Sequence, residues 1–302
     1  NGFLARMLKM ALKDPEEFTY ETAEQLWLAL SPTNQFRGGL ENFVYRGQGD
    51  STLPLLPTLL RSTNRLPIFQ DQMVHAGDMV FHERAILKRF VKHCDAVGLP
   101  IPHDSSELRA SLDAKRGSSF DKHPSLWPLP AALNLIAMAQ HHGVPTRLLD
   151  WTTKAYTAAY FAASSALNRF DRWTPESKLI IWALDRLSLD IHPDIVLHYS
   201  PGSTSPHLAA QGGLFTVHPS VGPELRFYPI RGLDEHLRDV DYNPFIKMTL
   251  PVNQAPELLR LCSIAGFNGA NVYPTADGAG RAVLDDINSF AAYTVLETFD
   301  IK

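Results

Sequence analysis

Apolar positions along the chain change period from segment to segment, and each change marks a predicted element. Asn1 to Asp14 interleaves Phe3, Leu4, Met7, Leu8, Met10 and Leu12 with Arg6, Lys9 and Lys13, an amphipathic helical pattern without the small-residue site of a cleavable leader. Thr19 to Leu30 has helical spacing that ends before Pro32 and Asn34. Phe43-Val44-Tyr45-Arg46 is an aromatic and β-branched run closed by Gly47, which predicts a strand meeting a turn. Ser51 to Leu60 carries Pro54 and Pro57 and reads as an ordered loop. Asp78 to Val97 is a strong helical pattern, with Phe81, Ala85, Phe90 and Val91 set apart from Glu83, Arg84, Lys88, Arg89 and Lys92.

Gly98 to Pro130 is rich in Pro, Ser and His and is expected to be a loop or lid. Leu133, Ile136, Ala137 and Gln140 then repeat at i, i+3, i+4 and i+7, a helix from Leu133 to His142 that Gly143 stops and Pro145 cannot continue. A strand over Arg147 to Trp151 leads into an Ala-rich helix, Lys154 to Leu167, with Thr152 or Thr153 as its N-cap. Leu179 to Leu184 is continuously apolar, the pattern of a strand buried on both faces. Gly213 to Val217, Arg226 to Ile230 and Phe245 to Leu250 read as strands, Gln254 to Ala265 and Ala279 to Asn288 as helices, and Tyr293 to Phe299 as a closing strand. The types do not alternate strictly enough for a doubly wound parallel sheet. The expectation is an α+β single domain over residues 1–302, with its core at about 20–290 and a mixed or split β-sheet flanked by helices.

Composition narrows the function classes. The 302 residues are 45% hydrophobic and 20% charged, as in an ordinary soluble globular protein. Lys+Arg is 28 against Asp+Glu at 32, a net charge of -4, which excludes a global attraction to nucleic acid or anionic lipid. Cys94 and Cys262 stand far apart, and no Cys or His falls at metal-ligand spacing. That excludes a disulfide framework, implies no metal, and makes a reducing cytoplasmic setting the expectation. No run approaches the roughly 20 apolar residues of a membrane span.

The densest cluster of chemistry-bearing residues is Gln140-His141-His142-Gly143-Val144-Pro145-Thr146-Arg147-Leu148-Leu149-Asp150-Trp151-Thr152. A strand end facing a helix N-terminus is where free N–H groups and the helix dipole point at a ligand. Arg147 and Asp150 can equally pair structurally there, with Trp151 in the core. The second cluster, Tyr45-Arg46-Gly47-Gln48-Gly49, sets a planar guanidinium beside a residue that lets backbone come close. No Walker A, G-x-S-x-G or dinucleotide fingerprint is present, and Ser203-Thr204-Ser205 is not followed by Glu-x-Glu.

Taken together, Tyr45 to Gln48, Gln140 to Thr152 and Ala159 to Ala162 resemble the signature of the FRG domain family. Leu55 to Arg61, Ala210 to Thr216 and the Tyr273-Pro274 to Asp277-Gly278 segment follow in the family's order, with Tyr273 in place of Phe. The resemblance implies an ADP-ribosyltransferase-like sheet and NAD as the nucleotide substrate. Arg46 would grip NAD, beside Gly47, Gln48, Thr146, Arg147, Trp151 and Thr152 as cofactor-binding residues. Asp150 and His141 would be the acid–base candidates, with Gln211 on the ribose, where such enzymes carry a late Glu. Gln can hydrogen-bond but cannot act as a base. The implied activity is transfer of ADP-ribose to a protein or nucleic-acid acceptor, as a bacterial toxin or defence effector with an antitoxin or regulatory partner. The alternative is a nucleotide-sensing or protein-interaction module without turnover.

Overall fold

The β-branched and aromatic runs assemble into nine strands among the described residues: β1 (Glu16–Thr19), β2 (Phe43–Gln48), β3 (Met73–His75), β4 (Leu148–Thr152), β5 (Lys178–Asp185), β6 (Val196–His198), β7 (Gly213–Val217), β8 (Phe227–Pro229) and β9 (Phe245–Pro251). The structure, a computed structural model, describes residues 14–33, 42–61, 73–115, 117–191, 195–202, 206–219, 227–237 and 243–300. The predicted N-terminal amphipathic helix and Ser203-Thr204-Ser205 lie outside them. Seven strands form one mixed sheet in the order β1-β9-β5-β2-β4-β7-β6, and β3 pairs with β8 in a separate ribbon. Only β1–β9 is parallel; every other pair is antiparallel. This is a mixed α/β architecture with helices on the sheet, as the element pattern predicts.

Pairing strength is uneven across the sheet. β2 and β5 are in register over six residue pairs, from Phe43–Asp185 to Gln48–Ile180. Across its other edge β2 meets β4 in one pair, Tyr45–Thr152. The sheet therefore has a seam between β2 and β4. On one face, Tyr45, Ile181 and Met248 pack under the helices Ala155–Leu167 and Ala255–Ile264, while Leu148, Phe215 and Val217 pack under the helices Ala76–Ala96 and Leu133–His141. The opposite face carries Val44, Leu149, Trp151, Trp182 and Phe245 in a third apolar cluster.

Glycine explains why the Ala-rich helix lies flush on β2. A Cβ at Gly47 would stand 1.9 Å from the Ala158 carbonyl oxygen, and one at Gly49 would stand 2.2 Å from the Ala166 amide nitrogen. Small residues on both sides let backbone touch backbone, and Ala158, Ala162 and Ala166 are buried there.

Several elements differ from their sequence patterns. Tyr293 to Phe299 is not a strand: one helix runs from Ala276 to Asp300. Its β-branched and aromatic residues follow Asp285, which accepts hydrogen bonds from Tyr160 (2.8 Å) and Ser164 (2.6 Å), and Ala292 is fully buried. The helix anchored at these upstream positions runs on through the segment in spite of its strand propensity. The Pro/Ser/His-rich segment holds two helices, Ser106–Ser111 and Ser119–Lys122, each with a serine N-cap. Buried Arg84 ties them down through Ser111 O (2.6 Å), Asp113 O (2.6 Å) and Ser118 Oγ (2.9 Å). Thr19 belongs to β1, and Thr22 caps the first helix, Ala23–Ala29. Lys154, not Thr152 or Thr153, is the N-cap of the Ala-rich helix, while the Thr152 hydroxyl accepts from Lys154 N at 2.9 Å.

Candidate functional site

The central motif builds a frame before it builds a site. Gly143, at φ +79°, turns the chain out of the helix Leu133–His141. Fully buried Thr146 donates to Gln140 Oε1 (2.5 Å) and accepts from Leu148 N (3.2 Å), so helix end and strand start are locked together. Arg147 points into the core: its Nε lies 2.6 Å from Glu83 Oε2, which also accepts from Trp127 Nε1 at 2.7 Å. Both members of the Arg147–Glu83 pair are buried, so Arg147 pairs with Glu83 and not with Asp150. Trp151 donates to Thr216 Oγ1 at 2.9 Å, stacks on Phe245 and is buried on the far face. Gly47 is covered by the helix that it accommodates.

Asp150 instead opens outward at the seam. Arg46 reaches across the interval where β2 and β4 stop pairing, and its Nη1 donates to the Asp150 carbonyl (2.9 Å) and lies 2.7 Å from Oδ1. The Arg46 side chain is 10% exposed and the Asp150 side chain 63% exposed, so a held cation presents a solvent-facing carboxylate. Desolvation works to raise the Asp150 pKa, but Arg46, a backbone hydrogen bond and Arg61 outweigh it and hold the carboxyl below its usual range. Asp150 is therefore ionised at neutral pH.

The site's walls come from residues that sequence patterns single out only in part. His141 lies against His207 (ring centroids 5.0 Å apart), and His207 lies 5.7 Å from Tyr273. Phe161 meets the Tyr273 edge at 6.1 Å, and the Arg281 guanidinium sits 4.5 Å over the Tyr273 ring. Burial, then His207 and His142, depress the His141 pKa and favour the neutral imidazole. Burial raises the Tyr273 pKa, and the Asp150 charge adds to that, which places Tyr273 within electrostatic reach of the carboxylate. Gln211 joins through its backbone, whose carbonyl accepts from Thr152 Oγ1 at 2.5 Å, and through Nε2, which donates to Val272 O at 3.3 Å.

Arg46, Asp150, Thr152 and Gln211 thus share one neighbourhood, bordered by His141 through His207 and Tyr273. Trp151, Arg147 and Thr146 support it from inside, and Gln48 is buried at the end of β2. His207 and Arg281 have no signal in the sequence, because isolated residues on different elements show no spacing, whereas Phe161 and Arg61 fall within the Ala159 to Ala162 and Leu55 to Arg61 stretches without being marked as site residues. Two cavities, of about 420 Å³ beside Lys88 and Leu112 and about 540 Å³ beside Trp173 and Tyr293, contain none of the site residues. No helix among the described residues is long and apolar enough to cross a membrane.

Fold and site define a mixed α/β protein with an arginine–aspartate pair spanning a seam in its central sheet. Residues 41–170 match the sequence model of the FRG domain family, and this part of the chain is an FRG domain. The match holds Arg46, the whole central motif and the Ala-rich helix. No curated protein and no solved structure matches the chain.

Proposed function

We propose that the surface around Arg46 and Asp150 binds NAD and that the protein transfers ADP-ribose to a macromolecular acceptor. The observation that carries this reading is the Arg46–Asp150 pair: a nine-tenths buried guanidinium held in place beside an exposed, ionised carboxylate. A guanidinium suits phosphate, and a carboxylate suits the positive charge that develops at ribose C1′ as the bond to nicotinamide breaks. The bonding electrons leave with nicotinamide, and the acceptor forms the new bond at C1′ and gives up its proton. Neutral His141 is the group suited to take that proton. Gln211, whose Nε2 is engaged with Val272, offers its amide oxygen to a ribose hydroxyl. A toxin or defence role with a protein antitoxin, in an ADP-ribosyltransferase-like fold, follows from the same reading.

A second reading, NAD sensing without turnover, is favoured by one observation: Asp150 is tied to Arg46, and Gln211 cannot serve as a base. Calorimetry with NAD, beside nicotinamide release in the presence of cell extract, separates the two. For the transferase, Asp150→Asn abolishes release while NAD still binds, and Arg46→Lys weakens binding by about tenfold or more through loss of the planar fork. Binding without release in the wild type selects the sensor, and absence of NAD binding rejects both.

A further inference from the structure

Arg61 ends the Leu-Leu-Pro-Thr-Leu-Leu-Arg stretch in a fixed position. It follows the 3-10 turn Thr58–Leu60, which is pinned to the start of β4 by Leu59 N to Thr146 O (3.0 Å) and Thr146 N to Thr58 Oγ1 (3.2 Å). Arg61 Nε donates to Leu56 O at 2.9 Å, which anchors the root of the guanidinium, and its terminal nitrogens have no hydrogen-bond partner among the described residues. Arg169 follows the end of the Ala-rich helix, close to where Ala166 rests on Gly49 at the end of β2. Among the described residues, neither arginine has an ion-pair partner.

Arg46, Arg169 and Asp150 all lie close enough to act on the Arg61 charge, two against it and one for it. Arg61 is half-buried, and burial is the largest influence disfavouring its charged form. The cluster thus sets three guanidiniums against the single carboxylate of Asp150, and two positive charges stay uncompensated. Folding holds these like charges together on three separate elements, and an anion bridging them relieves both the repulsion and the desolvation.

We infer that Arg61 and Arg169, with Arg46, form a subsite for a diphosphate dianion. Two linked anionic groups fit better than one because the excess charge is two and the three arginines stand on separate elements, on β2, on a turn and just after a helix end. Arg46 contributes its unengaged Nη2, since Nη1 is held by Asp150. The inference rests on the nucleotide reading of this surface and names the part of the ligand that this end would hold.

Calorimetry with inorganic pyrophosphate, inorganic phosphate, ADP-ribose and NAD tests it on the wild type, Arg61→Gln and Arg169→Gln. The wild type should bind pyrophosphate at least tenfold tighter than phosphate. Arg61→Gln should weaken pyrophosphate, ADP-ribose and NAD together by about tenfold or more, the size of a charge-assisted hydrogen bond. Arg169→Gln, at an exposed position, should weaken them about threefold and serves should Arg61→Gln fail to fold. Melting temperatures should not fall, because each substitution removes a repelled charge. Equal binding of phosphate and pyrophosphate overturns the inference, as does unchanged pyrophosphate affinity in folded Arg61→Gln. Arginine-dependent pyrophosphate binding without NAD binding sustains the subsite while the NAD reading fails. NAD binding indifferent to Arg61 and Arg169 does the reverse.

Discussion

Two arginine–carboxylate pairs of nearly equal length sit within one short stretch of sheet and do different work. Arg147–Glu83 closes at 2.6 Å with side chains 0% and 1% exposed, whereas Arg46–Asp150 closes at 2.7 Å with side chains 10% and 63% exposed. Distance does not distinguish them; surroundings do. Around Arg147, Trp127 and the Arg147 backbone amide (3.4 Å) also bind Glu83, so the pair is a structural node in a dry core. Around Arg46 the carboxylate faces water at the seam, where a ligand can reach it. Arg147, just before β4, turns to Glu83 on the helix Ala76–Ala96, and Asp150 within β4 meets Arg46 across the seam, so two residues of one motif serve different purposes.

The sharpest break in this comparison is removal of one partner from the dry pair. Glu83→Ala leaves a guanidinium buried without its carboxylate and should lower unfolding free energy by about 3–5 kcal/mol in denaturant titrations at pH 7. A loss under about 1 kcal/mol would mean that water or another group neutralises Arg147, and the contrast would dissolve.

The next effect is on acid stability in the same neighbourhood. His218, whose backbone amide donates to Arg147 O at 3.0 Å, is buried with neither ring nitrogen hydrogen-bonded. Burial first, then His236 and Arg147, push its pKa well below the ordinary value. The unfolded chain takes up this proton near pH 6.5 and the folded protein does not. Stability is therefore full above that pH and falls below it, by up to about 1.4 kcal/mol per pH unit. His218→Leu should flatten the slope in unfolding curves between pH 7 and pH 5. An unchanged slope would assign the acid sensitivity to other groups.

Least affected should be the stability of variants at the open pair. Arg46→Lys should shift unfolding free energy by no more than about 1 kcal/mol, because it keeps a cation beside a carboxylate that is exposed to water. A shift as large as that of Glu83→Ala would make the open pair a structural node as well.

Much of the frame is legible in the residues themselves. The uninterrupted apolar run of β5, the glycine stop after His141 and the alanine helix each depend on local rules. The Tyr-Arg-Gly-Gln and Gln-His-x-Gly-x-Pro-Thr-Arg-Leu-Leu-Asp-Trp-Thr patterns also locate the site. They do not sort its members: Trp151 and Thr146 look as reactive as Asp150 until the fold buries them. Tyr293 to Phe299 reads as a strand because its residues favour one, yet it continues a helix whose Asp285 is bound by Tyr160 and Ser164, more than a hundred residues away in sequence. His207 and Arg281 reach the site through packing of separate elements, for which a linear pattern has no period.

The single-pair seam has a mechanical consequence. β2 is bound to β5 along its whole length and lies flush on the alanine helix through two glycines, so those three elements behave as one plate. β4 and β7, in register over five pairs, form a second plate. Between the strands themselves, one backbone pair, Tyr45–Thr152, and one side chain, Arg46, make the join, while the chain links the plates where β4 runs into the alanine helix. An anion that takes up the second terminal nitrogen of Arg46 therefore sits on the join between the two plates.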